Sequence, residues 1–191
     1  MLKFKEYLQN ISTISDKEFE ETISYFSEKH LHKGDFFIKQ FSVCRQVGFI
    51  IKGTIRIYYI NQKDEETTYG FCQENCLTTS FKSFISQTPS DLILQALEDT
   101  DLLTIDYHKL NLLYKNYPTW QNIGRIITQN EFLNMEQYAS VLNNETAKEK
   151  YLRLLKEQPN VLQKANIEDI ASYLGVTRRT LSRIRQEISQ K

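Results

Sequence analysis

The sequence is poor in the residues that staple, kink or anchor a chain. Three cysteines, three prolines and six glycines occur in 191 residues. Cys44, Cys72 and Cys76 are odd in number and widely spaced, which suits a reducing compartment better than a disulfide framework. All three are expected to be buried thiols. Cys72 and Cys76 offer two metal ligands, but only three histidines exist to complete a set, and no second cysteine pair lies nearby. No apolar run approaches the ~20 residues a membrane helix needs. The start, Met1-Leu2-Lys3-Phe4-Lys5-Glu6, carries charge where a signal peptide needs an apolar stretch. A cytoplasmic protein with no membrane partner is therefore expected. Net charge is also absent, with 24 basic against 24 acidic residues, and taken alone this argues against a nucleic-acid partner.

What is present reverses that last inference. The content is 40% hydrophobic and 25% charged, with eleven Tyr and eleven Phe, enough to bury a core. Charge is unevenly spread. From Asn144 to Lys191 there are ten Lys or Arg against six Asp or Glu, while Met1 to Asn143 carries the opposite excess. Between Thr177 and Lys191 stand Arg178, Arg179, Arg183, Arg185 and Lys191 against Glu187 alone, a basic helix of the kind that meets phosphates.

The periodicity changes twice. The first thirty residues read as short helix, with a start signal at Ser15-Asp16-Lys17-Glu18. From His32 to Ile105 the runs Phe37-Ile38, Val47 to Ile51, Thr54 to Ile60, Thr67 to Phe71 and Leu102 to Ile105 are β-branched and aromatic, separated by turn residues. They predict a compact antiparallel sandwich or roll, with a tight turn at Lys52-Gly53. After Pro118 a long helix is expected to about Leu142, its apolar stripe running through Trp120, Ile123, Ile127, Phe132, Met135, Ala139 and Leu142. Some twenty-five residues span ~37 Å, longer than a small domain needs. Such a helix either folds back on the sheet or pairs with its copy in a homodimer. A further helix is expected from Glu145 to Lys156, closed by Pro159.

The segment Asn166 to Arg185 has the pattern of two crossing helices. Asn166 can cap the first, and Asp169 adds negative charge near its N-terminal dipole. Ile167, Ile170 and Leu174 form its apolar face, and Ala171 leaves room for a close crossing. Gly175 permits the left-handed turn, Val176 plugs the core beneath it, and Thr177 caps the second helix. Leu181 and Ile184 face inward, leaving Arg178, Arg179, Ser182, Arg183 and Arg185 outside. This is a helix-turn-helix, whose second helix lays its N-terminal residues in the major groove of double-stranded DNA. Arginine can donate two parallel hydrogen bonds to guanine O6 and N7, so Arg178, Arg179 and Arg183 are the base-reading candidates. Asn166, Thr177, Thr180, Ser182 and Arg185 are placed to hold phosphates and set register. One such helix covers few base pairs. Two half-sites about 34 Å apart, read by a symmetric dimer, are the usual remedy, and they favour the pairing role for the long helix.

With a β-rich segment, a long helix and a C-terminal reading helix in that order, the chain resembles the Crp/Fnr family of bacterial transcription regulators. The most specific stretches are Glu145 to Tyr151 and Ile170 to Arg185; weaker ones are Ile50 to Arg56 and Gln95 to Thr100. The resemblance implies an α+β protein in three parts: a cyclic-nucleotide-binding-like jelly roll (1–116), a dimerisation helix (117–143) and a small all-α helix-turn-helix domain (144–191). RNA polymerase is a further candidate partner. Relatives that bind cyclic AMP carry a Gly-Glu-Leu turn and an arginine for the phosphate. Here Thr79-Ser80-Phe81 and Pro89-Ser90-Asp91 stand instead, with no arginine between Arg56 and Arg125. Cyclic AMP is therefore not expected as effector, and no other ligand is assigned. The cysteine cluster of iron–sulfur relatives is missing, so no cofactor is expected. The family's hairpin wing has no room between the helix ending near Gln158 and Asn166.

Enzyme chemistry finds little support. His30-Leu31-His32 with Asp35 imitates the start of a metal-dependent oxygenase site, but the further histidine needed on a later strand is missing. No catalytic or metal-ligating residue is assigned. The alternative to a DNA-binding regulator is a small-molecule sensor module whose C-terminus makes protein contacts.

Overall fold

The computed structural model describes residues 1–189, without the side chains of residues 138–144. Two helices open the chain, α1 (Leu2–Ile11) and α2 (Asp16–Thr22). The Ser15 hydroxyl caps α2 by accepting from the Glu18 amide at 3.2 Å. The strands are β1 (Ser27–Leu31), β2 (Phe36–Ile38), β3 (Gln46–Lys52), β4 (Ile55–Ile60), β5 (Glu66–Cys72), β6 (Leu77–Thr78), β7 (Ile93–Ala96) and β8 (Thr100–Asp106). They form two antiparallel sheets in the orders β1-β8-β3-β6 and β2-β7-β4-β5, the expected roll.

Five of the eight strands described, β2, β3, β4, β5 and β8, fall on the expected runs; β1, β6 and the buried four-residue β7 do not. β1, Ser27-Glu28-Lys29-His30-Leu31, lies at a sheet edge with most of its side chains in solvent, so it has no apolar signature. The Lys52-Gly53 turn does take positive φ (+106° at Gly53), and a Cβ there would collide with Thr100. It joins no hairpin, however. β3 and β4 belong to different sheets, and the turn carries the chain from one layer to the other.

The remaining helices are α3 (Phe81–Ser86), α4 (Tyr107–Asn116), α5 (Pro118–Asn144), α6 (Ala147–Glu157), α7 (Val161–Lys164), α8 (Ile167–Leu174) and α9 (Arg178–Ser189). The first turns of α5 fold back on the roll, where Trp120 and Ile123 are buried beside Phe4, Leu8 and Phe49. Further along, the same helix leaves Phe132, Leu133 and Met135 exposed, by 62, 59 and 57%. Ala139 and Leu142, expected on the stripe, have side chains outside the described residues. Of the thiols, Cys44 is buried, Cys72 is half-buried and Cys76 is exposed, contrary to the expectation of three buried thiols. Cys76 follows the Gln73 to Asn75 turn, where Asn75 has positive φ, and the turn points it outward.

Helix α6 starts after Thr146 rather than at Glu145. The Thr146 hydroxyl accepts from the Glu149 amide at 3.3 Å, and the Glu149 carboxylate accepts from the Thr146 amide at 2.8 Å, a reciprocal capping box. Thr146→Ala is expected to lower unfolding stability by about 0.5–2 kcal/mol, read as a shifted urea midpoint at unchanged slope. An unchanged midpoint would show that the box holds nothing.

Candidate nucleic-acid interface

Helices α6 to α9 close over their own apolar cluster, in which Tyr151, Leu154, Val161, Ile170, Leu174, Leu181 and Ile184 are buried. The local chemistry follows the sequence closely. Asn166 caps α8 by accepting from the Asp169 amide at 2.7 Å. Gly175 ends α8 at φ +68°, with the Val176 amide donating to the Ala171 carbonyl at 3.0 Å. Thr177 then caps α9, accepting from the Thr180 amide at 3.2 Å. Ala171 is buried at the crossing, and Leu181 and Ile184 face inward.

The arginines divide. Arg178, Arg179 and Arg183 are exposed on the first two turns of α9. The Arg178 side chain, 69% exposed, pairs with Glu168 at 3.0 Å, and Arg183, 73% exposed, lies 4.0 Å from Glu187. Surface pairs of this kind are worth ~0–1 kcal/mol, too little to withhold either guanidinium from a phosphate or a guanine. Arg179 makes no ion pair among the described residues. Ser182 is exposed, Thr180 is half-buried, and the Thr177 and Thr180 hydroxyls are 3.1 Å apart.

Arg185 departs from the expected outer surface. It is half-buried, its guanidinium lies 5.7 Å over the Tyr151 ring, and its Nε is buried without a hydrogen-bond partner. Position 185 is one residue past Ile184 and turns toward α6, so packing claims the side chain. Arg185→Ala is accordingly expected to lower the melting temperature by a few degrees, as loss of a packed stem would. A variant that melts normally but loses one phosphate's worth of salt dependence would restore it to the outer surface.

Sequence reasoning missed how these helices attach to the roll. Arg56 of β4 is 4% exposed. Its guanidinium sits 2.6 Å from Glu66 of β5 and 2.9 Å from Asp169 of α8, its Nε donates to the Thr68 hydroxyl at 3.0 Å, and it stacks 4.2 Å over the Tyr58 ring. Asp169, expected to add negative charge near the N-terminus of α8, is itself buried. Burial pushes its carboxyl above the usual carboxylate range, while Arg56 pulls the other way. Beside it the Ser172 hydroxyl accepts from the Thr68 amide at 2.9 Å and donates to the Glu66 carbonyl at 3.0 Å. Ser172 thereby satisfies two backbone groups on the free edge of β5, the last strand of its sheet. Phe71 against Tyr173 and Lys164 against Glu98 at 2.8 Å extend the contact. A lone arginine between Ile55 and Ile57 was the available signal, since a buried charge demands a partner. Nothing in the sequence could say that the partner lay on α8.

Two further places concern ligands. A cavity of about 620 Å³ lies between the roll and α5, with Phe49, Tyr69, Leu77, Tyr107, Ile127 and Met135 among its walls. In the segment from β6 to β7, where cyclic nucleotide would be sought, the Ser80 and Ser90 hydroxyls hydrogen-bond one another at 2.7 Å. His30 of β1 and His32 just past its end meet an acidic partner from the loop before β8: one ligand atom each from His30, His32 and Asp99 lie within 4.8 Å of one another. That is wider than the roughly 3.3 Å between ligands around a tetrahedral ion. His30 Nδ1 is meanwhile engaged by Asp101 at 2.6 Å.

Against this geometry, residues 28–117 match the cyclic nucleotide-binding domain family. No curated protein matches the chain. Among solved structures the fold is similar to FixK2 from Bradyrhizobium japonicum, at 18% identity over 86% of this chain and 85% of that one, TM-score 0.72. It is also similar to the c-di-GMP responsive global regulator CLP of Xanthomonas campestris, at 16% identity over 92% of each chain, TM-score 0.69. A third is the Thermus thermophilus catabolite activator protein, at 17% identity over 96% and 87%, TM-score 0.61. The class defined is a fold, a β-roll of the cyclic nucleotide-binding type followed by helices, shared with these structural neighbours. No helix among the described residues is long and apolar enough to cross a membrane.

Proposed function

We propose that the chain is a cytoplasmic, homodimeric, sequence-specific DNA-binding transcription regulator of the Crp/Fnr type. The observation that carries it is α9, whose arginines at 178, 179 and 183 stand in solvent while Leu181 and Ile184 lock its other face. Residues 144–191 act as the helix-turn-helix reading head, 117–143 as the dimer helix and 1–116 as the sensor. Arg178, Arg179 and Arg183 read base edges; Asn166, Thr177, Thr180 and Ser182 hold phosphates. RNA polymerase is a candidate partner of the bound dimer.

Cyclic AMP is not its effector. A cyclic phosphate would meet no arginine between Arg56 and Arg125, and Arg56 itself is committed to Glu66 and Asp169. The apolar cavity beside α5 favours, as a second reading, a small apolar ligand for the sensor.

Titration of operator duplex at rising salt tests the main reading. For about four phosphates neutralised per dimer by lysine and arginine side chains, counterion release predicts a loss of roughly a hundredfold between 50 and 200 mM salt. A flat salt response would favour a module acting through protein contacts.

A further inference from the structure

The reading head hangs from α5 by Glu145 and Thr146 alone. A two-residue link is a swivel: it fixes distance and leaves orientation free. Orientation needs a second point of attachment, and the fold supplies it where α8 lies along β5. There the buried Arg56 guanidinium bridges Asp169 of the head and Glu66 of the roll, with Ser172 bonded across the strand edge. Arg178, Arg179 and Arg183 are exposed on α9 and none of them takes part in this contact, so the latched head is one whose reading surface is free. We infer that Arg56 is a positioning residue for operator recognition: it touches no DNA, and through Asp169 it holds the two reading helices of a dimer at the spacing that two half-sites require. The inference rests on the DNA-reading function proposed above.

The chemistry predicts how the latch fails. Removing Arg56 leaves the Asp169 carboxylate buried with no cation, and its simplest route back to water is for α8 to lift off β5. The head's own apolar cluster consists mainly of residues from α6 to α9 and survives that movement. Replacing both members by apolar side chains removes the stranded charge and lets the contact close again.

The experiment compares the full-length wild type with Arg56→Met and with the double variant Arg56→Met/Asp169→Leu on three duplexes: a single half-site, the selected two-half-site operator, and the same operator with its spacer changed by two base pairs. Thr68 amide exchange is followed in parallel. Arg56→Met is expected to keep half-site affinity, to lose at least tenfold on the operator, to discriminate less against the altered spacer and to exchange Thr68 faster. The double variant is expected to recover operator affinity and spacing preference. Unchanged operator affinity and spacing preference in Arg56→Met overturns the inference while leaving the DNA-reading function intact. Equal losses on half-site and operator overturn it as well, because they mark a misfolded head. Wild-type protein that binds none of the three duplexes removes the underlying function and the inference together.

Discussion

Alanine in place of Arg178 or Arg183 will weaken binding to the selected operator by about 1–3 kcal/mol each, roughly fivefold to 150-fold, and will relax base preference at one position of each half-site. Arginine's rigid fork matches two acceptors of guanine, so its loss discards discrimination together with charge. The control is lysine. Arg178→Lys keeps a cation near the backbone and should retain most non-specific affinity while losing base preference, because an ammonium cannot make the paired bonds. The pairs with Glu168 and Glu187 give a second handle. Glu168→Gln frees Arg178 and should leave binding unchanged or slightly tighter, since an exposed pair holds back ~0–1 kcal/mol at most. Alanine variants that keep the same consensus would remove these arginines from the base-reading surface.

The second large effect is expected at the seam. Phe132, Leu133 and Met135 are 62, 59 and 57% exposed on one stretch of α5, a patch that a single chain leaves to water. Burying such side chains against a second copy is worth ~1.5–3 kcal/mol apiece, whereas a carboxylate in the same interface has no partner. Phe132→Glu is therefore expected to convert a dimer into monomers at micromolar concentration, read by light scattering coupled to gel filtration. Affinity for an operator with two half-sites should fall by more than a hundredfold, because avidity is lost, while half-site binding persists. A wild type that elutes with the mass of one chain would put the patch to another use.

The fold was legible where side-chain burial has a single geometric cause. Ile55-Arg56-Ile57-Tyr58 and Leu102 to Ile105 are strands with inward faces, and their composition shows it. β1 and β6 are too polar or too short to do so, and the sheet change at Gly53 depends on which layers later strands join. In helices α8 and α9 the local signals, from the Asn166 cap to the Gly175 turn and the Thr177 cap, describe contacts within a few residues, and the structure realises them. The inward packing of Arg185, expected outside, and the burial of Asp169 were not legible, for the opposite reason. Both sit at helix positions that local periodicity sends to solvent, and each is taken inward by a partner from another element, Tyr151 in one case and Arg56 in the other. Polar side chains that serve contacts between elements carry no periodic mark.

Selection of preferred duplexes from a random pool addresses the central claim most directly. The account predicts enrichment of a twofold-symmetric sequence, with guanines in each half-site and centres about one helical turn apart. Recovery of no consensus, with every duplex bound equally or not at all, would contradict it.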